Sequence, residues 1–268
     1  MAFHDAYARV TPLELAFPVL EVARAWADEV FREAREVGAD PFDPGAFMML
    51  GSVRSRLREL SGPEVSSEAL LEYVTLAFHV CQFQRAGCPL YLVDKRAARW
   101  LTRAERVEGS PVPPLPAGYI QLPRNLFWLH DEPPGPAEAV DGLFWTASGG
   151  GLLHVLLATG MRDGRPGLGV SPLPAAPLTD ARTWLATTVR EGGADFASTL
   201  PGGDLEELYS FTTAGEVLKL AARLFAYTDA HPEAVVPGEA PRPDAVPAPS
   251  ALAYSRITLA GATDGQVL

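Results

Sequence analysis

Helical periodicity organises the first hundred residues. Leu13, Phe17, Leu20, Ala23, Val30, Phe31 and Ala34 recur at intervals of three and four, which lines one face of an α-helix. Thr11-Pro12-Leu13-Glu14 supplies a start: an N-cap hydroxyl, a proline at the first helical position, and a glutamate three residues after the cap. Gly38 is a natural stop, and Pro18 predicts a kink or a second start. Asp43-Pro44 opens a second helix to about Leu60, broken by Ser61-Gly62-Pro63. A third helix, from about Ser67 to Arg85, ends at Gly87. Its Leu70, Leu71, Val74, Leu76, Phe78, Val80 and Phe83 predict the central helix of this part. Leu90–Val93 reads as a short strand, and Asp94 as the cap of a helix reaching about Arg106.

The pattern changes after Pro111, Pro113, Pro114 and Pro116, which with Gly109 and Gly118 mark a connector. Tyr119–Leu122 and Leu126–Leu129 flank Pro123 as strands or turns. Gly142–Ala147, Leu152–Thr159 and Leu168–Leu173 read as three strands, the first two joined by the hairpin signal Ser148-Gly149-Gly150-Gly151. Leu152–Leu157 is apolar at both parities, which predicts a strand covered on both faces. Helices return from Thr179 or Asp180 to about Arg190, from Asp204, and from Thr213 through Tyr227. A Pro/Ala-rich stretch follows, and then Ala251–Leu259 alternates as a strand does. That strand either rejoins the chain's own sheet or adds to a partner's edge.

These elements predict an α+β fold: a helical N-terminal part packed with an antiparallel β-sheet and C-terminal helices. The expected organisation is a helical part over residues 1–106, a connector over 107–118, an α+β part over 119–230, a tether over 231–250, and a terminal strand and tail over 251–268.

Composition narrows the class. The chain has 268 residues, 47% hydrophobic and 21% charged, enough for one large core or two small ones. Its formal net charge of −11 makes nucleic acid an unfavoured partner. The charge is uneven: residues 1–106 carry 13 basic and 15 acidic side chains, the remainder 9 and 18. An acidic or phosphate-bearing partner is therefore expected on the first part. Cys81 and Cys88 stand seven apart in a predicted helix, about 10 Å along its axis, too far for a disulfide. Neither a basic–apolar leader nor a run long enough to span a bilayer is evident, so a soluble cytoplasmic protein is expected, with no membrane partner. Lysine occurs only as Lys95 and Lys219, asparagine only as Asn125 and isoleucine only as Ile120 and Ile257. Scarcity of these AT-coded residues points to a high-GC bacterial genome.

Candidate chemistry is sparse. The five histidines, His4, His79, His130, His154 and His231, are not clustered with cysteine at ligand spacing, so no metal site is expected. The glycines form neither a dinucleotide nor a phosphate-loop pattern, so no cofactor is expected. His154 reads either as a core histidine or as a general base oriented by Asp141 on the neighbouring strand. Tyr119, Gln121, Arg124, Trp128 and His130, with Trp145, form the densest mix of aromatic and polar groups, suited to core, pocket or interface. Arg96, Arg99 and Arg103 recur at i, i+3 and i+7 with Lys95 and Arg106 beside them: a solvated face or a docking patch for an acidic ligand. The cysteines read as small buried apolar residues.

Together these readings favour a non-catalytic protein-binding or assembly component, through a protein partner or self-association. One alternative is an enzyme or small-molecule binder with a pocket between the Tyr119–His130 segment and His154. Another is an acidic, antitoxin-like regulator that presents its C-terminal half to a basic partner.

Overall fold

The computed structural model describes residues 7–61, 67–104, 107–130, 137–148, 152–162, 165–177, 206–239 and 248–260. Among them the helices are α1 (Pro12–Ala16), α2 (Leu20–Val37), α3 (Pro44–Met49), α4 (Gly51–Ser61), α5 (Ser67–Arg85), α6 (Lys95–Arg103) and α7 (Glu206–Ala230). The strands are β1 (Leu90–Val93), β2 (Ala117–Gln121), β3 (Trp128–His130), β4 (Ala137–Ala147), β5 (Leu152–Arg162), β6 (Arg165–Pro177), β7 (Val235–Pro237) and β8 (Tyr254–Ile257). The fold is α+β, as the patterning predicts. Among the described residues no helix is long and apolar enough to cross a membrane.

Local chemistry sets the helix ends. The Thr11 hydroxyl accepts from the Glu14 amide at 3.4 Å while the Glu14 carboxylate accepts from the Thr11 amide at 2.7 Å, a reciprocal cap. Pro18 marks a full break between α1 and α2. Gly38 closes α2 in the left-handed region (φ 69°), which an L side chain rarely adopts. Asp43 caps α3 through Ala46. The single helix expected from Asp43 to Leu60 is two: Leu50 is extended, and α4 restarts at Gly51. The cap of α4 is remote in sequence. The Glu33 carboxylate of α2 accepts from the Gly51 amide at 2.6 Å and from the Ser52 amide at 2.9 Å.

The sheet runs β6-β5-β4-β2-β1-β8-β7, with β3 pairing beside the start of β4. It is mixed, whereas the sequence suggested antiparallel throughout: β1 pairs parallel with both β2 and β8. The crossover through α6 explains the first of these, since a chain leaving one strand through a helix re-enters the sheet from the same end. The strand at 251–259 is β8, and it lies between β1 and β7. Both of its edges are paired within this chain, so its addition to a partner's sheet is ruled out. The expected helix at 179–190 lies outside the described residues. Asp204, where a further start is expected, lies outside the described residues too; the separate start expected at Thr213 is absent, since α7 runs unbroken from Glu206 to Ala230.

Strand alternation divides the core in two. Tyr119, Phe144, Leu156 and Ala158 face α2 and α5, together with Phe47, Phe78 and Phe83. Ile120, Leu143, Trp145, Val155 and Leu157 face α6 and α7, together with Val217, Leu224 and Phe225. β5 is buried on both faces from Val155 to Ala158, as the apolar run predicts, while Leu152 at its start is 40% exposed. Gly118 is obligatory on β2: a Cβ there would overlap the indole of Trp145 on β4.

Candidate functional site

The densest polar arrangement is centred on Asp141. The β4–β5 register shifts between Val140 and Gly142, so Asp141 occupies an irregularity that aims its side chain at β2 and the N-terminal segment. Arg9 donates to Asp141 Oδ1 from Nε at 3.0 Å and from Nη2 at 2.8 Å. Tyr119 donates its hydroxyl to Oδ2 at 2.8 Å, and Gln121 Nε2 donates to the same oxygen at 3.0 Å. Gln121 also reads the Arg9 backbone, accepting from its amide at 2.7 Å and donating to its carbonyl at 3.3 Å. The Arg9 guanidinium makes a further bond to the Leu122 carbonyl at 2.8 Å. Burial first, and then the Asp141 charge, hold the Tyr119 hydroxyl well above its ordinary pKa, so it stays a neutral donor. The carboxylate serves four donors. It anchors the N-terminal segment, which also bridges to residues 248–250 through Val10 and Ser250. Arg9 carried no sequence signal beyond an isolated cation ahead of a helix cap.

The structure does not bring Asp141 to His154. Thr146, not Asp141, lies across from His154, and Asp141 stands five positions back along β4, about 17 Å at strand rise. His154 instead packs edge-on against Phe78 (5.6 Å between centroids), and its Nε2 lies 3.3 Å from the Ser148 hydroxyl. Burial lowers its pKa, so the imidazole is neutral near pH 7. Ser148 closes the hairpin, its amide and hydroxyl both directed at the Leu152 carbonyl. His79 lies beneath, fully enclosed, bonded to Thr146 at 3.1 Å and stacked on Phe144. Burial, with repulsion from His154 second, pushes its pKa down to about 3.

The aromatic segment is divided by the sheet. Tyr119 packs in the core with α5 while Gln121 is bonded to Arg9 and Asp141, and Trp145 lies toward α7, where its indole N–H donates to Leu115 O at 3.0 Å and its ring meets Phe225. No single pocket contains them. Arg124 is half-buried beside Asn125, which turns the chain at φ 59°. Trp128 is 44% exposed, and His130 ends β3 opposite Ala137. Cys81 is buried and its thiol pKa is pushed up; Cys88 is raised to about 11, again by burial, so neither is a thiolate.

An accessible cationic face lies on α6. Ala97, Ala98 and Leu101 are fully buried, in the core shared with α7. At about 100° per residue, Lys95, Arg99, Arg103, Arg96 and Trp100 share an arc of about 140° on the opposite side. All five are exposed, Trp100 by 45%. Both ends are held. Asp94 caps the first turn through Arg96 N at 2.8 Å and binds Arg256 Nη2 at 2.8 Å. At the other end Arg223 of α7 donates to the Leu101 carbonyl at 2.7 Å and the Thr102 carbonyl at 3.0 Å. Trp100 leans on Tyr227 (5.6 Å), which in turn meets His231 (4.9 Å). Among the described residues, none of the four cationic side chains has an ion-pair or hydrogen-bond partner. The arginine spacing was legible in the sequence. Trp100 was overlooked there, although it stands at i+4 from Arg96 on the same stripe.

No family model matches the chain. No curated protein matches it either. A solved structure titled "Crystal structure of AcrVA2" aligns over 91% of this chain and 82% of that one, at 10% identity and a TM-score of 0.39. A likeness that slight carries no argument about this chain.

The described groups thus fall into two sets. Asp141, Tyr119, Gln121, Trp145 and His79 are committed to internal partners. The α6 cations and Trp100 are presented outward on a helix fastened at both ends. Among the described residues no cluster of His, Cys, Asp and Glu could hold a metal ion.

Proposed function

We propose that the chain is a non-catalytic binding component that recognises a protein partner through the exposed face of α6. The observation that carries this reading is the set of four cations that have no side-chain partner among the described residues, gathered with a half-exposed tryptophan on one arc of a clamped helix. Arginine and tryptophan are the residue types that dominate interface energetics. A helix fixed at both ends loses little freedom on binding, so more of the contact energy is retained. The test is site-specific photocross-linking from position 100, with benzoylphenylalanine in place of Trp100, in cells of the native host. A discrete adduct that disappears when Arg99→Glu and Arg103→Glu are added supports the reading. No adduct, or one indifferent to the charge reversal, refutes it.

A second reading, an enzyme, rests on the contact between Ser148 and His154. A neutral imidazole 3.3 Å from a serine hydroxyl has the geometry to accept its proton in acyl transfer. Among the described residues no carboxylate hydrogen-bonds His154, and Ser148 already serves the hairpin, which favours the binding reading. Labelling by a fluorophosphonate probe that is lost in both Ser148→Ala and His154→Ala would revive the enzyme, and absence of labelling ends it.

A further inference from the structure

We infer that the α6 face takes an acidic helical segment of a protein, laid along α6, rather than a nucleic acid. This rests on the binding reading above and assigns the chemistry of the occupant. The argument is one of charge extent. Lys95 to Arg103 spans eight positions, about 12 Å of helix axis, so the positive surface is little longer than one Debye length at 0.1 M salt. At the N-terminal end of α6 the Asp94 carboxylate is paired with Arg256, which closes the patch with a neutral pair. On the Trp100 side the ring row through Tyr227 and His231 leads to Glu233, whose carboxylate lies 3.3 Å from His231 Nδ1. The whole chain carries −11. A polynucleotide longer than the patch would run its phosphates onto that acidic surface. An acidic helix confines its charge. Carboxylates at i, i+3 or i+4, and i+7 repeat at the spacing of the α6 arginines, and an apolar residue on the flank of the same helix meets the exposed edge of Trp100.

The test uses the full chain and fluorescein-labelled probes in anisotropy titrations at 50 mM and 300 mM salt. The first probe is a helical peptide with glutamates on one face and leucine flanking them. The second has the same composition with the glutamates distributed round the cylinder. The third is an oligothymidylate of equal charge. The expected result is that the first binds at least tenfold more tightly than the other two. Its affinity should fall at 300 mM salt, weaken about tenfold or more in Arg99→Glu/Arg103→Glu, and weaken several-fold in Trp100→Ala, with circular dichroism of both variants unchanged. Equal binding of the two peptides, tighter binding of the oligonucleotide, or no binding at 50 mM salt overturns the inference. If the cross-link from position 100 still depends on Arg99 and Arg103 while the peptide fails, the binding reading stands and the acidic-helix occupant falls.

Discussion

Replacing Asp141 with alanine tests whether the buried polar node holds the sheet to the N-terminal segment. The substitution takes the Asp141 carboxylate from the Arg9 guanidinium, which is only 8% exposed, and takes the acceptor from the Tyr119 hydroxyl and the Gln121 amide. Breaking a buried ion pair by deleting one partner costs about 3–5 kcal/mol, chiefly because the surviving charge stays desolvated. The Leu122 carbonyl still accepts from Arg9 and offsets part of that loss, which places the expected cost at about 4 kcal/mol. For a chain of this size that is a fall in Tm of about 8–16 °C. Asp141→Asn keeps an acceptor but removes the charge, and should cost about half as much. Urea and thermal denaturation followed by circular dichroism give both numbers. The cycle with Arg9→Ala should show a coupling of about 2 kcal/mol. A cost below about 1 kcal/mol for Asp141→Ala, or no coupling to Arg9, would refute the assignment of the node as a structural anchor.

Three further predictions follow from single contacts. Gly118→Ala puts a methyl group into the Trp145 ring and should destabilise by about 1–3 kcal/mol, read as a lower urea midpoint at unchanged slope. Glu33 has its pKa lowered by the hydrogen bonds from Ser52 and Gly51. Its stabilisation should therefore be complete above pH 4.5, its ordinary value, and fade as pH falls through the depressed one. The stability gap between wild type and Glu33→Gln should close on that acid limb, and a gap independent of pH would contradict the capping role. His79, held neutral down to about pH 3, is expected to show no imidazole NMR titration between pH 8 and 5. Because its ordinary pKa is 6.5, the stability it confers is whole above that value and declines as pH drops toward 3. A His79→Gln variant should lack that slope.

Reading the chain in order recovered what short-range chemistry dictates. The Thr11–Glu14 box, the Asp43 and Asp94 caps, the Gly38 stop, β1 at Leu90–Val93, and the double-faced burial of Val155–Leu157 all depend on residues within a few positions of one another. So does the arginine stripe of α6, because a helix converts sequence spacing directly into a shared face.

What the linear pattern did not contain was pairing between distant segments. Glu33 caps a helix 18 residues away, and Arg9 meets Asp141 across 132 positions. Neither cap nor ion pair leaves a local trace, since any exposed carboxylate or guanidinium looks the same in sequence. The division of Tyr119 from Trp145 needed the sheet register, because a shift of one residue exchanges the two faces. The same register separated Asp141 from His154. The last strand needed the full topology: alternation at 251–259 identified a strand, but only the assembled sheet showed that β1 and β7 had already claimed both its edges. Composition and periodicity thus determined which segments are helix or strand and which helix carries the cations. Tertiary structure decided which polar groups are spent internally and which remain outside, because burial is a property of neighbours in space.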